Sequence, residues 1–213
     1  MPDYSSHKPE NQLDKSDNEI LKDFSIIIPS WNQETALNEL LVKLEDTGAE
    51  IIVSSEGSRA KSLNAGAKKA TRKILWFVHA DSQITKENIQ SLISSLQKFP
   101  DALHYFKLQF AEGGLSAINA GGANLRSSWF DLPYGDQAFC IDKKQFYLIG
   151  NYPEDTPYGE DLLFVRLAKK CQVKLVEVPS FLISSARKYN SQGWVKTSIT
   201  HWYIMFKLLL KKL

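Results

Sequence analysis

Residues 74–84 read ILWFVHADSQI, a run of large apolar side chains that stops at one acid, Asp81. A continuous apolar run of this length fits a strand buried on both faces. An acid just past the carboxyl end of such a strand stands where open α/β sheets bind ligands. A carboxylate there can hold a divalent cation and, through it, a diphosphate. The same acid could instead cap the following helix. Ser82 and Thr85 can do that equally well, with Glu87 or Asn88 near the helix start.

The run belongs to a repeating pattern. FSIII at 24–28 predicts a strand closed by Pro29, and 34–46 a helix with Leu37, Leu40, Leu41 and Leu44 at helical spacing, ended by Gly48. EIIVS at 50–54 predicts a second strand, and 58–70 an Ala-rich helix with Leu63, Ala67 and Ala70 on one face. The strand 73–79 and a helix over 85–97 with Ile89, Leu92, Ile93 and Leu96 inward complete the series. Alternation of this kind predicts a mostly parallel sheet with helices on both faces. The second half is α+β in character. Strands are expected at 102–110, 137–142, 173–178 and 181–186, helices at 143–150 and 160–170, while Gly-rich 111–126 is hard to assign. No linker separates the halves, so one compact α/β unit is expected.

Composition narrows the function classes. The chain has 213 residues, 43% apolar and 23% charged, as in an ordinary soluble domain. A net charge of +2 is too small to argue for nucleic acid. Cys140 and Cys171 lie far apart without CxxC spacing, which fits small core residues in a reduced, cytoplasmic protein. Residues 1–23 are polar and lack an apolar signal core, so they read as a disordered tail. The C-terminal segment 196–213 contains WYIMFKLLLKKL, too short an apolar stretch to span a bilayer. It suits either a basic amphipathic helix on the inner face of an anionic membrane or a helix packed on the domain.

Three strand ends carry polar clusters: SWNQE at 30–34, SSEGSR at 54–59 and HAD at 79–81. In a parallel sheet these ends share one edge, where a nucleotide is the natural occupant. Neither GxGxxG nor GxxxxGK[ST] is present, so phosphate charge must be met by metal and by cations such as Arg59, Lys61 and Arg187. Glu160 and Asp161 open the helix expected at 160–170. Acids are favoured there by the helix dipole. Yet the Gly/Pro-rich loop GNYPEDTPYG presents them, and PYGDQ at 133–137 is a second acid-bearing loop. An Asp beside a sugar hydroxyl can accept its proton in a transition state.

Taken in order, FSIIIPSWNQE, GSRAKSLNAGAKKA, ILWFVHADS, PYGDQ, YGEDLLFVRLAKK and SSARK resemble the motifs of family 2 glycosyltransferases. More closely, they resemble a small bacterial subgroup reading SIIIPxLNE, GRAxQxNxGA, LLFLHAD, GDQ, ED and TSAR. The resemblance covers residues 24–195. It implies a GT-A fold, in which a Rossmann-like nucleotide half is fused to an acceptor half, with 196–213 as a basic C-terminal helix.

The resemblance also implies roles. Pro29, Asn32 and Glu34 match the first-strand motif where the family places the nucleoside. Arg59, Asn64 and Gly66 match the segment that approaches the donor. Asp81 matches the last acid of the metal motif and would hold Mg²⁺ or Mn²⁺, with His79 and Ala80 in place of its first part. Asp161 matches the general base and Glu160 its partner. Gly135, Asp136 and Gln137 match the GDQ piece near the acceptor, and Arg187 the late Arg expected on the diphosphate. The implied reaction is inverting, metal-assisted transfer of a sugar from a nucleotide-sugar donor to an acceptor hydroxyl on a small molecule, a lipid-linked compound or a glycan. One departure is visible. IIVSSEGSRAKSLNAG runs directly from strand to helix, so about one β-α unit of the family pattern is missing, and with it the Asp that meets the nucleobase. A non-catalytic nucleotide- or sugar-binding relative is therefore the alternative. A nucleotidyltransferase is disfavoured, because PSWNQE stands where its Gly-rich basic loop would be.

Overall fold

The computed structural model describes residues 20–30, 35–110 and 132–184. Six strands, β1 (Phe24–Pro29), β2 (Glu50–Ser54), β3 (Ile74–Phe77), β4 (Leu103–Phe110), β5 (Cys140–Asp142) and β6 (Leu175–Ser184), form one sheet in the order β2-β1-β3-β5-β4-β6. Five helices accompany them among the described residues: α1 (Thr35–Leu44), α2 (Arg59–Lys69), α3 (Lys86–Lys98), α4 (Lys143–Ile149) and α5 (Glu160–Lys170).

Strand side chains alternate between two apolar layers, as the pleat requires. Ile26, Ile28, Trp76, Val78, Phe106 and Cys140 enter one layer with leucines of α1 and α3. Ile27, Leu75, Phe77, Phe139 and Ile141 enter the other with apolar residues of α2, α4 and α5. The expected sheet with helices on both faces is what forms. Gly66 of α2 lies against the Ile27 side chain with no room for a Cβ, so the Ala-rich helix sits close on β1. Gly48 takes a left-handed φ of 74° where the first helical stretch ends. Thr85, not Asp81, caps α3, in a reciprocal capping box with Asn88.

β1 runs parallel to β2 and β3, β4 runs parallel to β6, and β5 runs antiparallel to both β3 and β4. The segment that precedes β5 therefore reaches the same sheet edge as the segments that follow β1, β2 and β3. β2 leads straight into α2 and forms the opposite side limit of the sheet from β6.

Four expectations change. The two strands expected at 173–178 and 181–186 are one strand, β6. Its register against β4 steps from Phe106↔Val178 to Lys107↔Phe181, so Pro179 and Ser180 are extruded as a bulge. The buried Asn88 amide pins that bulge, donating to Ser180 Oγ at 2.8 Å and to the Phe181 carbonyl at 2.9 Å. The strand expected from residue 137 begins at Cys140, because Gly135–Gln137 form a 3-10 turn. Cys140 is buried, whereas Cys171 is exposed just beyond the last turn of α5. Of the segment expected as a polar tail, residues 20–23 form a turn with Leu21 wholly buried. Residues 111–126 and the C-terminal segment 196–213 lie outside the described residues.

Candidate active site

Polar side chains gather at the edge where the parallel strands end. Arg59 is the first residue of α2, behind the N-cap Ser58, whose hydroxyl accepts from the Lys61 N–H at 3.2 Å. Its Nε stands 3.1 Å from Glu160 Oε1, and its guanidinium also meets the His79 Nε2 just beyond β3. Glu160 and Asp161 open α5 and are both buried, the former 6% and the latter 8% exposed. Gly159 precedes them with a left-handed φ of 77°, and no side chain caps the helix. The two acids therefore occupy the electropositive end of α5 unaided.

Asp161 is fixed from two sides. Its Oδ2 accepts from the Gly135 N–H at 2.8 Å and its Oδ1 from the Leu162 N–H at 2.8 Å. A Cβ at Gly135 would overlap the Arg59 guanidinium and stand 3.3 Å from the Asp161 carboxylate, so only glycine lets these groups close in. The turn carrying Gly135 is itself anchored by Gln137. That buried amide donates to the Phe106 carbonyl at 2.8 Å and accepts from the Tyr134 N–H at 3.0 Å.

The electrostatics follow from burial and crowding. Burial works against the Arg59 charge, but Asp161, Glu160 and Asp136 outweigh it and hold its pKa above the ordinary value. Burial, reinforced by the Asp161 charge, raises the Glu160 carboxyl above the usual range, while Arg59 pulls it down. Tyr152, packed among Phe77, Phe146 and Phe164, has its phenol pushed well up by burial.

The residues expected from sequence are thus distributed unevenly. Arg59, Asp136, Glu160, Asp161 and Gly135 come together, although they lie in three separate stretches of the chain. Asp81 is half-buried in the turn two residues beyond His79, at the same edge. Pro29 ends β1, half-buried, at that edge too. Asn64 is occupied with the loop that delivers Glu160. Its Nδ2 donates to the Tyr152 carbonyl at 2.9 Å and to Glu154 at 2.8 Å, and its Oδ1 accepts from the Tyr152 N–H at 3.0 Å. Gln137 is likewise occupied with backbone, and Lys61 is exposed. Asn32, Glu34 and Arg187 lie outside the described residues.

Sequence reasoning missed His79 as a partner of Arg59, expecting only a backbone hydrogen bond for it. It also missed Tyr152, and the hydroxyls of Ser54 and Ser82, which are buried with no hydrogen-bond partner among the described residues. The SSEGSR cluster at the end of β2 was the available signal for Ser54. Among the described residues no three His, Cys, Asp or Glu side chains are grouped to hold a metal ion. Nor is any helix among them long and apolar enough to cross a membrane.

Comparison with known proteins agrees with this architecture. Residues 43–119 match the family model Glycosyl transferase family 2. A curated relative, the UDP-N-acetylglucosamine--peptide N-acetylglucosaminyltransferase GtfA subunit of Limosilactobacillus reuteri subsp. suis, is 32% identical over 97 residues. That stretch is 45% of this chain and 17% of the relative. S. aureus TarS matches with a TM-score of 0.56 at 14% identity, over 77% of this chain and 37% of that one. A TarS fragment in complex with UDP-GlcNAc gives 0.55 at 15% identity, over 76% of this chain and 58% of the fragment. The chain thus spans a minor part of the curated relative and less than two thirds of either TarS chain. The fold is GT-A, and residues 43–119 are similar to glycosyl transferase family 2.

Proposed function

We propose that this chain transfers a sugar from a nucleotide-sugar donor to an acceptor hydroxyl, with inversion. The observation that carries the reading is the convergence of Glu160, Asp161 and Asp136 on Arg59 at the edge where β1, β2 and β3 end. In an α/β sheet that edge is where ligands bind. The names of the relatives favour a UDP-sugar as donor, with UDP-GlcNAc the first to try.

Asp161 is the general base in this reading. Its two backbone hydrogen bonds fix the carboxylate plane and leave lone pairs for a hydroxyl proton. A positioned base contributes about 10²–10⁴-fold in rate. Glu160, tied to Arg59, orients the acceptor. Asp81 lies half-buried at the same edge, where a hard divalent cation would take its other oxygens from the donor's phosphates and from water. Asp81 would hold Mg²⁺ or Mn²⁺ there, and the ion would offset charge on the departing diphosphate. The acceptor is a small molecule, a lipid-linked compound or a glycan. A cytoplasmic setting, with 196–213 on the inner face of the membrane or on the domain, accompanies the reading.

The direct entry of β2 into α2 supports one competitor, a relative that binds nucleotide or sugar without turnover. Purified chain with Mn²⁺ and a panel of nucleotide-sugars separates the two. Slow hydrolysis of one donor, abolished by Asp161→Asn with UDP binding retained, is the expected result. Binding of UDP with no turnover of any donor, unchanged in the variant, would establish the competitor.

A further inference from the structure

Arg59 is placed to do something other than meet the donor. We infer that Arg59 is a positioning residue, the shared counter-ion that holds Glu160, Asp161 and Asp136 in one constellation, and that it is not the donor's phosphate ligand. Its effect on turnover rests on the proposed function. Its counter-ion role does not.

The geometry ties two of the three guanidinium nitrogens to the protein. Arg presents its donors in a rigid planar fork. Here Nε faces Glu160 Oε1 at 3.1 Å, while a terminal nitrogen meets His79 Nε2. That same terminal nitrogen fills the space where a side chain at Gly135 would begin. One side chain thus touches the segment after β3, the turn before β5 and the start of α5. The Gly135 N–H to Asp161 bond also ties the turn to the acids.

Charge balance points the same way. The ionisable groups acting on Arg59 are Asp161, Glu160, Asp136 and Tyr152, with His79 in contact. Ionised, the three carboxylates already outnumber the single guanidinium. Moving Arg59 onto a phosphate would leave Glu160, 6% exposed, a buried acid without its ion-pair partner. Its carboxyl, raised by burial and by Asp161, is drawn back by Arg59. An opposite charge at this range lowers a carboxyl pKa by about 1–3 units. Loss of the Arg59 charge must therefore move the Glu160 titration upward.

The test uses ¹³C-carboxyl NMR titration of the full chain, alongside UDP binding by calorimetry in Mn²⁺. Arg59→Gln is expected to raise the Glu160 midpoint by about one pH unit or more. Arg59→Lys keeps the charge and should recover most of that shift. UDP affinity should change less than about threefold in both, since the phosphate interaction is assigned elsewhere. If Arg59→Gln does not fold, Gly135→Ala takes its place: the added methyl displaces the guanidinium and should raise the same midpoint. An unmoved Glu160 midpoint overturns the inference, as does a tenfold or greater loss of UDP affinity in Arg59→Gln or Arg59→Lys. A wild-type chain that turns over no donor would defeat the proposed function, and the titration would still decide the role of Arg59.

Discussion

Asn64→Ala offers the sharpest test of how the acids are delivered. The loop between α4 and α5 carries Tyr152 and Glu154, and Asn64 on α2 holds both the N–H and the carbonyl of Tyr152, at 3.0 and 2.9 Å. Tyr152 is buried, so water cannot readily replace the lost amide. Each buried backbone group left without a partner costs about 1–3 kcal/mol. The third bond, to the exposed Glu154, adds little. The loss should centre near ~4 kcal/mol for the two groups together. For a chain of this size each kcal/mol shifts Tm by about 2–4 °C. A fall of roughly 8–16 °C is therefore expected in a thermal melt followed by circular dichroism. The loop's grip on Glu160 and Asp161 should loosen as well, and a misplacement near 1 Å costs about 10²-fold in turnover. Asn64→Asp retains an acceptor for the Tyr152 N–H but sets a carboxylate against the Tyr152 carbonyl and Glu154, and should be no more stable than Asn64→Ala. A melt within about 2 °C of wild type for Asn64→Ala would refute the assignment of Asn64 as the loop's anchor.

Gln137→Ala removes two buried bonds from the turn before β5 and should cost about 2–4 kcal/mol in urea unfolding. Turnover should drop further than stability alone accounts for, since the turn carries the Gly135 N–H that fixes Asp161. His104 is wholly buried, with its ring nitrogens bonded to Ser95 Oγ and the Phe99 carbonyl, each at 2.9 Å. Burial lowers its pKa below the ordinary 6.5. Its folded value is depressed, so its stabilisation is full above pH 6.5 and is lost as pH falls toward the folded value. Urea midpoints should decline across that window, and in His104→Phe the decline should flatten. Chelation with EDTA should weaken UDP binding, and in Asp81→Asn the addition of EDTA should make no further difference. A calorimetric titration reads both.

Local pattern carried the first half of the chain. Leu37, Leu40 and Leu44, and then Ile89, Leu92 and Leu96, repeat at helical spacing, and each set is buried as that spacing requires. The runs at 24–28 and 75–78 are buried on both faces, which is why apolar continuity alone marked them. β6 defeated the same reasoning because Pro179 reads as a strand end, whereas the bulge absorbs it. Asp81, Glu160 and Asp161 were legible as acids at element ends, where chain direction alone fixes their edge. The grip of Asn64 on Tyr152 was not legible, since it spans 88 positions and depends on how α2 packs. Gly135 was read as part of a motif. Its actual constraint, the approach of Arg59, exists only once three segments have met.

The extrusion in β6 contains two residues, an even number, and this preserves strand parity. Val178 before it and Leu182 after it both enter the layer shared with Phe106. A homologue could lose Pro179 and Ser180 together and keep its inward side chains inward. Losing either one alone would turn Leu182 toward the opposite layer and bring Phe181, now 52% exposed, into its place. Insertions and deletions at this site should therefore come in pairs, a parity rule imposed by the pleat and readable in any set of related sequences.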